Sequence, residues 1–251
     1  MRVLLLSDIH ANLQALEACL DAAPAHDIAV NLGDTVGYGG NPNEVVEQVR
    51  RCCQLHVRGN HDRVCSGLSD MSSFNPLAAL SAFWTRQQLT QESIDWLRTL
   101  RRGPLTLASL EHVQFFHGSP EDEDEYMLAI TSALAELLKC TVPLSFFGHT
   151  HIQGGFSLYQ DAGSEIHPFI NTGNGLARSE LQLLKPARYL INPGSVGQPR
   201  DGDWRAAFAL YESNTSKVTF YRVPYDIKLA QKRILDADLP SRLAMRLEFG
   251  R

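Results

Sequence analysis

Three apolar runs near the start of the chain each end in a polar cluster, and the clusters recur at one spacing. Val3-Leu4-Leu5-Leu6 runs into Ser7-Asp8-Ile9-His10, Ile28-Ala29-Val30-Asn31-Leu32 into Gly33-Asp34-Thr35, and Leu55-His56-Val57-Arg58 into Gly59-Asn60-His61-Asp62. Asp8, Asp34 and Asn60 thus follow one another at intervals of 26 residues, about one strand plus one helix. The intervening segments carry helix signals. Leu13, Leu16 and Leu20 share a face with Asn12 as N-cap, and Asn41-Pro42-Asn43-Glu44 supplies a cap, a Pro at N1 and a Glu at N3. Strand, helix, strand, helix, strand implies parallel pairing through right-handed crossovers. Equivalent strand ends then converge on one edge of the sheet, where α/β folds hold their ligands.

Further along, helical signals run from Asn75 to Leu100, with Leu77, Leu80 and Trp84 spaced for one packed face and Gly103-Pro104 as a breaker. Val113 to Phe116 and Leu144 to Phe147 read as buried strands, with a helical stretch from Ala133 to Leu138 between them. After residue 150, short β-like runs at 156–159, 166–170, 188–191, 206–211 and 218–223 suggest antiparallel strands, and a helical tail spans Asp226 to Leu235. No repeat or linker divides the chain, so residues 1–251 read as a single α/β domain with two sheets.

Composition narrows the function. Lys plus Arg number 23 against 28 Asp plus Glu, a net charge of -5, which disfavours non-specific nucleic-acid binding. It does not disfavour an anionic substrate, because bound cations can supply local positive charge. No run approaches the eighteen or so apolar residues of a membrane span. The five cysteines are odd in number and form no C-x-x-C pair, which fits a reducing cytoplasm better than a disulfide frame.

Five of the nine histidines sit at strand ends: His10, His61, His117 in His117-Gly118-Ser119, and His149 and His151 in Gly148-His149-Thr150-His151. Together with Asp8, Asp34 and Asn60 they form a set of oxygen and nitrogen donors suited to divalent cations. Gly33, Gly59, Gly118 and Gly148 would let the backbone turn beside them. Taken singly, Asp8 and Asp34 would read as helix caps and each histidine as an ordinary loop residue. The acidic run from Glu121 to Glu125 reads as a solvated loop, since adjacent carboxylates cannot all face one ion.

D-x-H, G-D-x-x-G, G-N-H-D, H-G-S and G-H-T-H, in this order, resemble the motifs of the calcineurin-like metallophosphoesterase superfamily. The stretch from Ile191 to Arg200 resembles a loop of its bacterial phosphodiesterase branch. The resemblance implies a four-layer αββα sandwich, two mixed β-sheets packed face to face and flanked by helices. It also implies two divalent metal ions bridged by Asp34, one taking Asp8, His10 and His151, the other Asn60, His117 and His149. Manganese is favoured by the resemblance; Fe, Zn, Co or Ni would also suit the donors.

The activity implied is phosphoester hydrolysis, most simply of a small phosphodiester, by in-line attack of a metal-bridging hydroxide. His61 would be the general acid, with Asp62 orienting it and favouring its protonated form. Arg58, Asn12 and Arg200 are candidate substrate contacts. Arg58 reads equally well as a surface ion pair, Asn12 rather as a cap, and Arg200 as part of a turn. A phosphomonoesterase, including a protein phosphatase, and a non-catalytic metal-binding scaffold are the alternatives. G-D-x-x-G and G-N-H-D depart from the G-D-x-x-D-R-G and G-N-H-E of eukaryotic-type Ser/Thr phosphatases. Segments 65–74 and 119–130 are expected to shape the pocket, the first as a candidate lid. The pattern carries no indication of oligomeric state.

Overall fold

In a computed structural model of the chain, which describes residues 1–168 and 173–251, alternation along the first strand sets the layering. Strand β1 (Arg2–Leu6) sends Val3 and Leu5 to one face and Leu4 and Leu6 to the other, and all four are fully buried. A strand buried on both faces must be covered on both. The chain continues through α1 (Leu13–Ala22), β2 (Ile28–Asn31), α2 (Pro42–Cys52) and β3 (Leu55–His56), and β1, β2 and β3 pair in parallel as the spacing requires. Helices α3 (Asn60–Cys65), α4 (Pro76–Gln88) and α5 (Gln91–Thr99) follow. Next come β4 (Leu105–Leu107), β5 (Leu110–Phe115), α6 (Ile130–Lys139) and β6 (Leu144–Phe146). Strands β7 (Gly154–Tyr159), β8 (Ala162–Ile166), β9 (Ala177–Gln182), β10 (Arg188–Asn192), β11 (Ala206–Glu212) and β12 (Lys217–Val223) precede α7 (Ile227–Asp236), α8 (Ser241–Met245) and a 3-10 turn at Arg246–Phe249.

The strands make two six-stranded mixed sheets, in the orders β3-β2-β1-β11-β12-β9 and β4-β5-β6-β10-β7-β8. Between them lies a layer built from both: Val3, Leu5 and Val30 of one sheet meet Phe115, Phe146 and Ile191 of the other. Burying a side chain such as Phe115 contributes roughly 1.5–3 kcal/mol, so this inner layer is a principal source of stability. The outer face of the first sheet, with Leu4, Leu6 and Phe208, is covered by α1, α2, α7 and α8. The outer face of the second, with Phe156, Leu158 and Leu190, is covered by α6. The architecture is the four-layer αββα sandwich.

Several local expectations need correction. The helical region after Asn75 is two helices, because Thr90 caps a new one by accepting from Ser93 N at 3.2 Å. Leu80 is 56% exposed rather than packed. The buried face of α4 is made instead by the small residues Ala78, Ser81, Ala82 and Thr85. Strand β10 is not purely antiparallel: it pairs in parallel with β6 and antiparallel with β7. Of the run at 166–170, Ile166 ends β8, and residues 169 and 170 lie outside the described residues. Strands β4, β8 and β9, helices α3 and α8 and the final 3-10 turn had no strong sequence signal. Among the described residues no helix is long and apolar enough to cross a membrane.

Candidate metal centre

The loops that leave β1 and β2 brace one another. Asp8 N donates to Gly33 O at 3.0 Å, His10 N to Asp34 O at 2.9 Å and Ala11 N to Thr35 O at 3.0 Å. At Asp8, His10 and Asp34 this bracing holds a backbone that side chains ordinarily avoid, and the loop after β6 adopts it too, with His149 N donating to the Asp8 carboxylate at 3.1 Å. Asp8, His10, Asp34, His149 and His151 take left-handed φ values of 52°, 49°, 55°, 65° and 60°. Such conformations cost of order 1–3 kcal/mol each and survive where the surroundings over-determine them, commonly at functional sites. Of the four glycines expected to turn the chain, Gly33 does so, at φ 104°. Gly59, at φ -94°, is needed for space, because a Cβ there would run into the Asp34 carboxylate and backbone N.

The donors gather as two groups that share one residue. Asp8, His10, Asp34 and His151 offer ligand atoms within 4.8 Å of one another, and so do Asp34, His117 and His149. Oδ2 of Asp34 lies 3.5 Å from Nε2 of His10 and 3.4 Å from Nε2 of His117. Oδ1 of Asp8 lies 3.3 Å from Nε2 of His151.

Hydrogen bonds fix which ring nitrogen is free. A carbonyl only accepts, so the imidazole nitrogen facing one carries the proton. Nδ1 donates to Val36 O at 3.1 Å in His10, to Leu32 O at 2.8 Å in His117 and to Gln198 O at 2.6 Å in His151, leaving Nε2 toward the carboxylates. His149 is reversed: its Nε2 donates to Asp124 O at 3.1 Å, which leaves Nδ1. Backbone carbonyls orienting imidazoles in this way are the usual outer support of metal ligands. Nε2 of His117 and Oδ1 of Asn60 are buried without a hydrogen-bond partner among the described residues. Hard oxygens, oriented imidazole nitrogens and two orphaned polar atoms fit a pair of divalent cations.

Charge in this pocket is poorly balanced by the protein alone. Burial, aided by the negative charge of Asp34, lifts the Asp8 carboxyl to about 6, against the pull of His117. Burial would lower His117, but the Asp34 and Asp8 carboxylates overcome it and push the imidazole up to about 10. The paired carboxylates of Asp8 and Asp34 thus favour positive charge at this place.

A family model described as the calcineurin-like phosphoesterase superfamily domain matches residues 1–216. The chain belongs to the calcineurin-like phosphoesterase superfamily. It is 35% identical to an uncharacterized protein of Methanocaldococcus jannaschii, over 99% of this chain and 98% of that one. It is similar to the crystal structure of a metallophosphoesterase from Sphaerobacter thermophilus, with 37% identity, a TM-score of 0.83 and coverage of 100% and 99% of the two chains. A hypothetical protein from Pyrococcus horikoshii shares the fold at 20% identity, with a TM-score of 0.78 and coverage of 100% and 98%.

In this calcineurin-like phosphoesterase the remaining sequence candidates divide. His61 is buried beside the donors, its ring centroid 4.8 Å from that of His10 and 4.5 Å from that of Tyr38, and its backbone N–H donates to Asp34 Oδ1 at 2.8 Å. Asp62 does not orient it. Its carboxylate instead accepts from the backbone N–H of Thr35, Val36 and Gly59, at 2.9, 3.3 and 3.0 Å, and so ties the second and third loops together. Nor is His61 held protonated, since burial pulls it down to about 4. Arg58 is occupied as well: two 3.2 Å bonds attach it to Glu123, which is 2% exposed and also takes Arg63 at 2.6 Å. Asn12 acts as the cap of α1, accepting from Ala15 N at 3.1 Å and donating to Gly197 O at 2.9 Å.

Arg200 does reach the site. Its guanidinium lies 5.9 Å from the centroid of the Tyr38 ring, and its Nε is buried without a partner among the described residues. Both loops expected at the pocket border it: Phe74 packs 4.6 Å from His61, and Tyr126 3.9 Å from His149, between ring centroids. Tyr38, Glu123, Tyr126 and Arg246 belong to the site's surroundings without any motif to announce them; the left-handed G-Y turn at Tyr38, φ 60°, was the nearest signal.

Proposed function

We propose that this chain is a dinuclear-metal phosphodiesterase that hydrolyses a small phosphodiester, acting as one metallophosphoesterase domain in the cytoplasm. The observation that carries the reading is the position of Asp34 Oδ2 between Nε2 of His10 and Nε2 of His117, at 3.5 and 3.4 Å, within reach of both donor groups. Asp8, His10, Asp34 and His151 would hold one cation, and Asp34, Asn60, His117 and His149 the other, with manganese first among Mn, Fe, Zn, Co and Ni. When bound, such a pair lowers the pKa of water and neutralises charge on phosphoryl oxygens.

The protein's own residues then have defined tasks. The orienting carbonyls of Val36, Leu32, Gln198 and Asp124 keep four imidazoles aimed before substrate arrives. Arg200, with its unpartnered Nε, holds a non-bridging phosphoryl oxygen. His61 enters neutral and offers its ring N–H to the leaving oxygen, a role that neutral imidazoles fill elsewhere. Water supplies the new P–O bond, the ester P–O bond breaks, and the products are a phosphomonoester and an alcohol. Diester preference is supported by Arg58: the guanidinium that a phosphomonoester dianion would call on is already held by Glu123. The cytoplasmic assignment is supported by five free cysteines.

The test is to strip the protein of metal, restore manganese, and compare bis-p-nitrophenyl phosphate with p-nitrophenyl phosphate. Faster turnover of the diester is expected. Preference for the monoester would replace the reading with a phosphomonoesterase, and inactivity on both with full metal loading would favour a scaffold.

A further inference from the structure

Beside the metal centre lies a groove of about 810 Å³, lined by Tyr38, Leu77, Arg242, Met245, Arg246 and Phe249 among others, with no acidic side chain among the described lining residues. Tyr38 belongs to both places: its ring stands 4.7 Å from His10 and 4.5 Å from His61 between centroids, and it also forms a wall of the groove. Over that ring sit two guanidinium groups, Arg200 and Arg246, each 5.9 Å from its centroid. Neither is ion-paired with an aspartate or glutamate among the described residues, although the chain as a whole carries a net charge of -5. Arg200 donates to Gln198 Oε1 at 3.2 Å and Arg246 donates through Nε to the oxygen of Arg251, which leaves the outer nitrogens of Arg246 facing the groove. Two partly buried cations crowded on one ring repel each other, and burial together with Arg200 pulls Arg246 down to about 10. An anion between them would relieve both. The rest of the groove sets Pro76, Leu77, Met245 and Phe249 beside Asn75, Arg242 and Arg251, and it is open: Met245 is 59% and Phe249 58% exposed.

We infer that this groove is a substrate subsite, and that it takes a phosphoester carrying a second phosphate on a planar or apolar body, as a nucleotide does. The inference rests on the phosphodiesterase reading for what happens at the metal centre, but the groove's own chemistry is separate from it. The second phosphate lies against Arg246, one aromatic ring beyond His61, while Arg200 keeps the phosphoryl group at the metal centre, and the body lies along Leu77, Met245 and Phe249. This makes Arg246 a specificity-determining residue, contributed by the last turn of the described chain rather than by any of the metal-binding loops.

The experiment uses two thymidine dinucleotides that share one internal phosphodiester and differ only in a terminal phosphate. Binding of each to the manganese-loaded protein is measured by calorimetry, and turnover of bis-p-nitrophenyl phosphate is measured alongside. The unmodified protein is expected to bind the terminally phosphorylated dinucleotide about tenfold or more tighter, the worth of one charge-assisted contact. Arg246→Ala should bring the ratio close to one. Phe249→Ala, at an exposed position where folding is safe, should weaken both dinucleotides about equally. Equal binding of the two by the unmodified protein, or an Arg246→Ala loss that is the same for both, overturns the inference. Absent turnover of bis-p-nitrophenyl phosphate with a retained binding ratio would remove the phosphodiesterase reading and leave the subsite standing.

Discussion

Nε2 of His10 and Nε2 of His151 stand 3.1 Å apart, each with its ring proton committed to a carbonyl on the far side. Two lone pairs so placed repel unless something positive lies near both. Burial draws each imidazole well below its usual range, so protonation relieves this only in acid.

The first prediction concerns cation binding and stability. A ligand that binds only the folded state at a hundred times its Kd adds about 2.7 kcal/mol. For a chain of this size that raises Tm by about 5–10 °C. Scanning fluorimetry after chelation, and again after manganese is restored, should show such a rise, and Asp34→Ala should remove it. An unchanged Tm with every divalent cation tried would count against the paired donor groups.

His61→Ala separates turnover from metal loading. Loss of a proton donor typically costs about 10²–10⁴-fold in rate. Turnover should fall by that range while elemental analysis still finds the metal content of the unmodified protein. If the metal is lost as well, His61 is a structural or ligating group and the role proposed for it is wrong.

Glu123 supports the site from a distance. It is buried beneath Arg58 and Arg63, and the next residue, Asp124, gives its carbonyl to His149. Removing one member of a buried ion cluster leaves the others uncompensated, a cost of about 3–5 kcal/mol where burial is complete and less here, since both guanidinium groups are part-exposed. Glu123→Ala should lower the urea midpoint and weaken binding of the second metal. Glu123→Gln should recover part of the loss through hydrogen bonds.

Gly59→Ala tests the packing around the shared carboxylate. The added methyl has no room beside Asp34. Overpacking of this kind costs about 1–3 kcal/mol. The variant should bind fewer than two metals per chain, whereas Gly202→Ala, at φ 85° with open space around it, should lose only stability. Normal metal content in Gly59→Ala would show that the Asp34 carboxylate has more freedom than the structure gives it.

A pH effect is expected at Asp203. Partial burial works against its carboxylate, but hydrogen bonds from Arg205 at 2.9, 3.1 and 2.5 Å hold its pKa below the ordinary value. A depressed acid stabilises the fold above its unfolded pKa of about 3.9 and loses that contribution as pH falls through the lower, folded value. Asp203→Asn should therefore be less stable than the unmodified protein at neutral pH, with the gap closing below about pH 4. A gap that stays constant down to pH 2 would mean the ion pair adds nothing.

How much of this was legible beforehand depends on the range of the contacts. Asp8, Asp34 and Asn60 were readable because each is placed by its own strand end, a local relationship repeated at one spacing. The histidines were readable for the same reason. Asp62 was misread because adjacency in sequence suggested His61 as its partner, whereas the first turn of α3 points its carboxylate at the loop after β2. Arg58 finds Glu123 sixty-five residues away, which no local pattern announces. Arg246 comes from a short 3-10 turn with no periodic signal, and Leu80 was misplaced because small residues, not large ones, form the packed face of α4.

The left-handed residues that carry the donors have a consequence for change in this protein. Main-chain bonds between neighbouring loops position Asp8, His10 and Asp34, whereas the backbone N–H of His149 is held by the Asp8 carboxylate at 3.1 Å. Exchanging the His10 donor would leave the cradle beneath as it is, whereas exchanging Asp8 would also release the loop that carries His149. Any preference of this donor set among cations would thus be easier to change at position 10 than at position 8.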